Sequence, residues 1–241
     1  MYAIIVSIFC IFSSIYGNWD PTDLIQEADI SKIQNETFVS AKNQIFHAAK
    51  GSWCSEEKVN LIMDLIALTQ PTVCVEIGVW DGGSLIPIAQ ALKYNNNGKV
   101  YAIDAWANDW ATKYLEDKDP NKPWWSTVDM QQIYQIYKNR MKSLQLEPFC
   151  VEIRKPSLEA VNELPEIDFL HIDGDFSSKG TLLDIQAYIP KVKTGGYILF
   201  SNVFLMANSL QYKADGFMEL IENCEIISSI DNDNAVLFQK I

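Results

Sequence analysis

Basic residues are scarce in this sequence. Its 241 residues include 19 Lys and Arg against 31 Asp and Glu, which gives a formal net charge of −12 and an isoelectric point near 4.6. No basic patch interrupts this acidity, so nucleic acid and anionic membrane surfaces are excluded as expected partners. A small neutral or cationic molecule suits the charge better.

Cysteine is also scarce, and its spacing excludes common metal and disulfide motifs. Cys10 lies close to the N terminus, and Cys54, Cys74, Cys150 and Cys224 are far apart, with no C-x-x-C pair among them. Cys74 and Cys150 fall in apolar segments. We therefore expect free buried thiols rather than a disulfide framework or a zinc site, and free thiols are typical of a reducing compartment.

An apolar run long enough to span a membrane is missing from the N terminus. Residues 2–15 are apolar apart from three serines, but the run is too short for a bilayer, and Gly17 and the polar Asn18 follow it. This pattern predicts a secretory signal over residues 1–17 and therefore an exported protein. The run lacks the usual basic residues, so a buried N-terminal helix in a cytoplasmic protein is the alternative.

The alternation of apolar strands with helical segments indicates one α/β domain. Strands are predicted at residues 73–77, 100–104, 150–154, 169–173, 197–201, 225–230 and 235–240, and helices over 36–50 and 55–68. The last two strands are joined by a short polar turn, so they must be antiparallel. We divide the chain into a signal (1–17), an N-terminal helical segment (18–50) and a main domain (51–241).

The segment VCVEIGVWDGGS, residues 73–84, predicts a turn between a buried strand and a helix. Gly78 and Gly82 allow the backbone to approach a bound molecule, and a helix that begins near Ser84 directs free N–H groups towards it. Glu76 precedes the first glycine, unlike the dinucleotide pattern G-x-G-x-x-G, in which the acid comes later. The segment therefore predicts a ligand site, with a plain tight turn as the alternative.

A second strand, in KVYAIDAW (residues 99–106), ends at Asp104. A carboxylate at this position can accept hydrogen bonds from both hydroxyls of a ribose. Trp106 follows two residues later, where it could cover an adenine or pack under the segment that comes next. A solvated surface aspartate is the alternative for Asp104.

A third segment, IDFLHIDGDFSS (residues 167–178), has the same order of apolar strand, acid and glycine. Asp173 is therefore expected at the edge of the sheet where open α/β folds bind their ligands. His171 lies on the same face of the strand as Asp173, and we expect a buried, hydrogen-bonded histidine rather than one that reaches the cleft.

These motifs, in this order, resemble those of the class I S-adenosylmethionine-dependent methyltransferases. LHIDGD, the helix after it and KVKTGGYILF resemble the methyltransferase 24 family, and the resemblance runs from about Trp53 to the C terminus. It implies a Rossmann-like fold with a mostly parallel seven-stranded sheet that ends in an antiparallel hairpin. It also implies S-adenosylmethionine as the cofactor.

The resemblance further implies roles for single residues. Glu76 and its loop would hold the amino-acid end of the cofactor, Ser157 would touch the adenine, and Asp173 would be the catalytic residue. As a helix N-cap, Ser157 would look the same in the sequence. The expected cofactor-binding residues are Glu76, Gly78, Gly82, Ser84, Asp104, Trp106 and Ser157.

The chain departs from the family pattern at two places. Phe176 stands where a histidine is usual, and Ser201 with Asn202 stands where the family has two acids or Asp-Asn. Asp173 and Asn202 are left as candidate ligands of a divalent metal, and Asp175 either helps them or caps the next helix. Because hard cations gain affinity from carboxylate charge, we expect little or no metal dependence.

An aromatic-rich insertion covers residues 105–141. Its aromatic residues are Trp106, Trp110, Tyr114, Trp124, Trp125, Tyr134 and Tyr137. Such a segment can form a lid that shapes an acceptor pocket for sugars or planar phenols. It can equally be a loop that its own tryptophans hold against the domain.

Together these features predict a methyltransferase that moves the methyl group of S-adenosylmethionine to a small hydroxylated acceptor, a sugar or a phenol. Two alternatives belong to other classes. A catalytically inactive, exported cofactor-binding module would explain Phe176, Ser201 and the signal, and an NAD(P)-dependent oxidoreductase shares the fold class. The sequence predicts no stable membrane span and leaves the oligomeric state open.

Overall fold

A computed structural model of the chain describes residue 20 and residues 30–49, 51–203, 209–230 and 234–241. The predicted signal, residues 1–17, lies outside the described residues. Within those residues, none of the helices has the length and apolar character that a membrane crossing requires.

A seven-stranded sheet forms the centre of the domain, with the strand order β3-β2-β1-β4-β5-β7-β6. Its strands are β1 (Val73–Ile77), β2 (Lys99–Ile103), β3 (Cys150–Ile153), β4 (Ile167–Ile172), β5 (Val192–Ser201), β6 (Cys224–Ile230) and β7 (Ala235–Lys240). Strands β1 to β5 pair in parallel, and β7 pairs antiparallel with both β5 and β6. The predicted α/β fold with a C-terminal antiparallel hairpin is confirmed.

Helices lie between the strands and before the first of them. They are α1 (Ser31–Gln34), α2 (Glu36–Ala49), α3 (Glu56–Thr69), α4 (Leu85–Asn95), α5 (Asn108–Ala111), α6 (Lys122–Thr127), α7 (Met130–Ser143), α8 (Ser157–Ala160), α9 (Ser178–Tyr188) and α10 (Ser209–Asn223). The predicted helices α2 and α3 are confirmed to within one residue. Ser55 caps α3, because its side chain accepts a hydrogen bond of 2.9 Å from the backbone N–H of Lys58.

Strand β5 begins five residues earlier than the predicted start at Tyr197. Its first half contains Gly195, with a φ of +78°, and the pairing with β4 shifts register between Ile167 and Phe169. Two glycines in a strand weaken the sequence pattern for β structure, which is why the alternation of apolar residues located only the second half.

The core has two parts, one on each face of the sheet. Neighbouring strand residues point to opposite faces, so Cys74 packs in one part and Val75 in the other. The first part includes Phe38 and Ile45 of α2, both almost fully buried, together with residues of α3 and α4. The N-terminal helical segment therefore packs on the main domain. The boundary predicted at residue 50 stays a prediction.

Candidate functional site

The carboxyl ends of the parallel strands open into one cavity of about 250 Å³. The strands end at the same level, because Ile77 pairs with both Ile103 and Ile172. The residues that follow β1, β2, β4 and β5 therefore meet in the cavity wall; they are Gly78, Asp104, Asp173 and Asn202. The chain thus brings Gly78, Asp104 and Asp173, three of its predicted site residues, together where α/β sheets bind ligands.

Gly78 permits the closest backbone contact in this wall. Its φ is +83°, and a Cβ atom added to it would lie 2.5 Å from the backbone oxygen of Asp173. Its N–H donates to the Ile103 carbonyl over 2.9 Å, and the Asp173 N–H donates to the Ile77 carbonyl over 2.9 Å. No other residue type fits this junction of three strands without displacing the backbone.

Gly82 does not line the cavity. Its φ is +88°, and an added Cβ would lie 3.2 Å from the Tyr137 ring, on the side of the turn that faces the insertion. Ser84 does line the cavity, and its Oγ donates to Glu76 Oε1 over 2.6 Å. The predicted contact between Gly82 and the cofactor stays a prediction, and the contacts present are those of a turn glycine packed on an aromatic ring.

Glu76 lies beneath the cavity rather than in its wall. It is fully buried on β1, and among the described residues its Oε2 has no hydrogen-bond partner. Burial raises the pKa of this carboxyl to about 8. A carboxyl that is mostly protonated at neutral pH is a weak partner for an ammonium group, so contact with the amino-acid end of a cofactor stays a prediction.

Asp104 organises the glycine turn through three hydrogen bonds. Its Oδ2 accepts from the backbone N–H groups of Val79 and Trp80, each over 3.0 Å, and its Oδ1 accepts from the Trp106 N–H over 2.7 Å. Burial raises the pKa of Asp104, whereas these hydrogen bonds act in the opposite direction. A carboxylate has about four acceptor positions, so little capacity is left for a ligand hydroxyl.

Trp106 packs behind the cavity instead of lining it. Its ring stacks on Tyr137, with the ring centroids 5.1 Å apart, and its Nε1 donates to the Trp80 carbonyl over 2.8 Å. These contacts support packing under the insertion rather than cover of an adenine. Trp80 lines the cavity in its place, with a φ of +54°. Sequence reasoning missed Trp80, although an aromatic residue inside a glycine turn was the available signal.

Ser157 lines the cavity at the end of β3. Pro156 occupies the cap position of α8, and the Ser157 hydroxyl donates to Asp184 of α9. The N-cap alternative for Ser157 is therefore wrong, and its contact with an adenine stays a prediction. Burial raises the pKa of Asp184 to about 7.

Asp173 reaches the cavity, and polar groups surround its carboxyl. Asn202 donates its side-chain amide to Oδ1, Lys58 Nζ lies 3.9 Å from Oδ2, and His171 Nε2 lies 3.8 Å from Oδ2. Sequence reasoning missed Lys58, which comes from α3 and is distant in sequence. Asn202 has a φ of +61°, a conformation that costs free energy and is common at functional sites.

His171 and Ser201 form a buried pair below Asp173. Both are fully buried, and His171 Nε2 lies 2.8 Å from Ser201 Oγ. Burial lowers the pKa of His171 to about 3, so the imidazole is neutral. The expected buried, hydrogen-bonded histidine is present.

Asp175 accepts a hydrogen bond from the backbone N–H of Ser177 over 2.6 Å, and it is the Ser177 side chain that caps α9.

The donor set near Asp173 does not fit a hard divalent cation. In the part of the chain that the structure describes, no three His, Cys, Asp or Glu residues are grouped to hold a metal ion. Asn202 presents its N–H to Asp173, and the Ser201 oxygen contacts His171. Magnesium and calcium prefer several carboxylate or carbonyl oxygens, and here one carboxylate is shared with an amide and an ammonium group.

The insertion supplies much of the opposite wall. Its lining residues include Trp110, Lys113, Tyr114, Trp125 and Met130. The ring centroids of Trp125 and Phe176 are 5.4 Å apart, and Phe176 also lines the cavity. Outside the insertion, Trp53 stacks on Trp80 with ring centroids 5.1 Å apart and the planes 4° from parallel. The cavity thus has a polar wall of strand ends and an aromatic wall of side chains.

A seven-stranded sheet in this order, with a glycine turn after β1 and acids after β2 and β4, defines the class I methyltransferase fold. The chain belongs to the methyltransferase 24 family, whose model, described as a methyltransferase domain, matches residues 75–203. The match includes the strand ends that form the polar wall, and it ends just after Asn202. No curated protein matches the chain.

Solved structures share this fold at low sequence identity. The O-methyltransferase TomG from Streptomyces achromogenes, involved in tomaymycin synthesis and solved with SAM, is 15% identical with a TM-score of 0.60, over 97% of this chain and 96% of that chain. An O-methyltransferase from Bacillus cereus, in complex with SAH, is 12% identical with a TM-score of 0.58, over 96% of this chain and 100% of that chain. The SAH-bound methyltransferase PaMTH1 from Podospora anserina is 11% identical with a TM-score of 0.58, over 100% and 95%.

Proposed function

We propose that the protein is an S-adenosylmethionine-dependent O-methyltransferase that acts on a small hydroxylated acceptor, a sugar or a phenol. The observation that carries the proposal is the position of Asp104 and Asp173, which directly follow β2 and β4 and line one cavity on either side of Gly78. Family membership supports the activity. The SAM and SAH in the similar structures support the cofactor.

The polar wall fits an extended cofactor. Asp104 holds the turn of Val79 and Trp80 in position and keeps one acceptor position for a ribose hydroxyl. Ser84 and Ser157 add hydroxyl groups near the ends of β1 and β3. When bound, the cofactor supplies an electrophilic methyl group on a sulfonium sulfur.

Asp173 is the proposed base. The acceptor hydroxyl would give its proton to the Asp173 carboxylate as its oxygen takes up the methyl group that the bound cofactor would supply. The proton later leaves to water. Alignment of the two bound reactants supplies much of the rate, because methyl transfer needs an in-line approach.

The aromatic wall supports a ring-shaped acceptor. The side chains of Trp80, Trp125 and Phe176 line the cavity, and aromatic rings bind planar phenols and the C–H faces of sugars. The insertion therefore contributes to the cavity and is also held by its own aromatic residues, since Trp106 and Tyr137 are buried in the core. Both predicted roles of the insertion have contacts that support them.

Calorimetry with S-adenosylhomocysteine and with NAD tests the cofactor. We expect binding of S-adenosylhomocysteine and none of NAD, and tight NAD binding alone would overturn the proposal. A panel of phenols and sugars, with methylated product detected by mass spectrometry, tests the acceptor. Asp173→Asn should abolish product while the exposed control Asp117→Asn keeps it.

We also propose that the protein is exported, with cleavage after Gly17, on the basis of the apolar run at residues 2–15. Cys74, Cys150 and Cys224 are free thiols, which is unusual in an oxidising compartment. Intact mass of the protein from the producing cells should show loss of residues 1–17. Val6→Asp places a charge in the run and should prevent processing, and recovery of only the full-length chain from wild type would contradict export.

A further inference from the structure

Lys58 holds a positive charge at a position that its own helix disfavours. It lies in the first turn of α3, where the helix dipole attracts acids, and Glu56 and Glu57 precede it there. Its side chain is nevertheless only 3% exposed. A buried ammonium group at a helix N terminus needs a negative partner to offset desolvation, and Asp173 Oδ2 lies 3.9 Å from its Nζ.

A second buried lysine lies beside two phenylalanine rings near the cavity. Lys213 of α10 is 1% exposed, and among the described residues its Nζ has no hydrogen-bond partner. Its Nζ lies 5.1 Å from the Phe200 ring and 5.5 Å from the Phe176 ring. Burial lowers the pKa of Lys213, and Asp173 is the acid that opposes this effect most. Lys58 therefore supplies the positive charge that lies beside Asp173, and Lys213 interacts electrostatically with Asp173 as well as with Asp175 and Asp184.

The oxygens that a metal would need have other partners. Asp173 Oδ1 accepts from the Asn202 amide, and Ser201 Oγ contacts His171. A longer carboxylate side chain in place of Ser201 would have to fit beside the fully buried His171 ring, whose Nε2 already lies 2.8 Å from Ser201 Oγ. The neutral hydroxyl at residue 201 and the lysine at residue 58 thus fit the same arrangement, in which the Lys58 ammonium group lies beside the Asp173 carboxylate.

We infer that the Lys58 ammonium takes the place of a divalent cation as the positive partner of Asp173, and that Lys58 is a positioning residue for this carboxylate. The inference rests on the proposed function only in taking Asp173 as the base. The inference assigns chemistry without a metal ion to this site, because the side chains that would bind a metal already have other partners. It also explains why a family position that usually holds an acid tolerates serine here.

Direct binding of Mn²⁺, measured by electron paramagnetic resonance, tests the inference without activity. Wild type and Ser201→Asp should bind no Mn²⁺ at the cavity at millimolar concentration, because Lys58 remains. Lys58→Met combined with Ser201→Asp should bind it at least about tenfold more tightly than either single variant, since a second carboxylate is gained and the competing charge is lost. Binding by wild type, or equal binding by Ser201→Asp and the double variant, would overturn the inference.

Two further double variants separate charge from loosened packing. Lys58→Arg with Ser201→Asp keeps a cation beside Asp173 and should bind no Mn²⁺. Lys42→Met with Ser201→Asp removes another largely buried ion pair, with Asp64 at 2.6 Å, and should also bind none. Gain of Mn²⁺ binding in the Lys42 control would attribute the effect to packing and refute the inference.

S-adenosylhomocysteine binding, measured on the same proteins, keeps the two proposals apart. We expect every variant that folds to bind it, because Lys58 and Ser201 do not line the cavity. If wild type does not bind S-adenosylhomocysteine, the proposed function is overturned. The Mn²⁺ result then decides the role of Lys58 independently. If Lys58→Met fails to fold, absence of Mn²⁺ binding in both wild type and Ser201→Asp still supports the inference, and its presence still refutes it.

Discussion

The two walls of the cavity are built in different ways. The polar wall consists of strand ends and a glycine turn, in which backbone groups of β1 and β4 contact each other and Asp104 holds three backbone N–H groups. The aromatic wall consists of side chains from separate segments, such as Trp53, Trp125 and Phe176. A wall made of backbone tolerates few residue types, whereas a wall of side chains can change its shape by substitution. Family membership is therefore informative about the first wall and says little about the acceptor.

The largest effect is expected where backbone meets backbone. Gly78→Ala places a methyl group 2.5 Å from the Asp173 carbonyl and requires a left-handed alanine, so it should lower the free energy of unfolding by about 2–5 kcal/mol. Gly195→Ala is the matched control, because Gly195 has a similar φ and no atom within 4 Å of an added Cβ. It should cost only about 1–2 kcal/mol. Urea unfolding measures both, and equal losses would contradict a special role for the Gly78 junction.

Asp104 is expected to be needed for tight cofactor binding. Asp104→Ala leaves the N–H groups of Val79, Trp80 and Trp106 without their acceptor, and it should weaken S-adenosylhomocysteine binding by about 1–3 kcal/mol. Asp104→Asn keeps one oxygen and should lose less. Calorimetry gives both values. If Asp104→Ala binds as tightly as wild type, the polar wall does not hold the cofactor.

Glu76 should make stability depend on pH beneath the polar wall. Its pKa is raised from 4.5 to about 8, so the folded state binds more protons than the unfolded state between these values, and stability falls as pH rises through them. His171, with its pKa lowered from 6.5 to about 3, causes a loss as pH falls through that range. Between pH 4.5 and 6.5 the slope of His171 opposes the slopes of Glu76 and of Asp184, whose pKa is raised to about 7, so the decline should be clearest above pH 6.5 and come mainly from Glu76 there, on the order of 1 kcal/mol per pH unit.

Urea unfolding at pH 6.5 and pH 8 checks this decline. Glu76→Gln keeps the shape of the side chain without the titration, and its stability should change much less between the two pH values. A decline of the same size in Glu76→Gln would assign it to other groups.

The smallest effect is expected in the aromatic wall. Trp125→Ala should raise KM for the acceptor by roughly three- to tenfold and leave S-adenosylhomocysteine binding unchanged, because one aromatic face is lost. Trp124 is the neighbouring control, since it is 45% exposed and does not line the cavity. Steady-state kinetics on the two variants test the comparison directly. A larger rise in KM for Trp124→Ala than for Trp125→Ala would contradict a direct contact between Trp125 and the acceptor. It would leave the insertion with a packing role only.

The fold could be predicted because its signals are local. Apolar strands, a glycine turn and the terminal hairpin each occupy a few consecutive residues, and the pairing rules of parallel strands then bring Gly78, Asp104 and Asp173 to one edge. The early start of β5 was missed because Gly195 and Gly196 carry no strand pattern.

The side-chain contacts of the site could be predicted only in part. Lys58 reaches Asp173 from a helix far away in sequence, and nothing in its local pattern distinguishes it from a surface lysine. Trp106 was the nearest aromatic residue after β2 and was therefore expected at the cofactor. The residue that lines the cavity is instead Trp80, which has a left-handed backbone conformation. Such choices depend on tertiary packing, which short-range patterns do not encode.

The missing side chain at Gly78 has a mechanical consequence. With no atom between the backbone of β1 and the backbone after β4, the turn near the proposed cofactor position and the carbonyl of Asp173 are in direct contact. A displacement of the turn cannot be absorbed by a flexible side chain and must be transmitted to the proposed base. Binding of the cofactor at the turn would then change the orientation of the Asp173 carboxylate on the other side of the junction. The geometry needed for reaction would be complete only when the cofactor is bound.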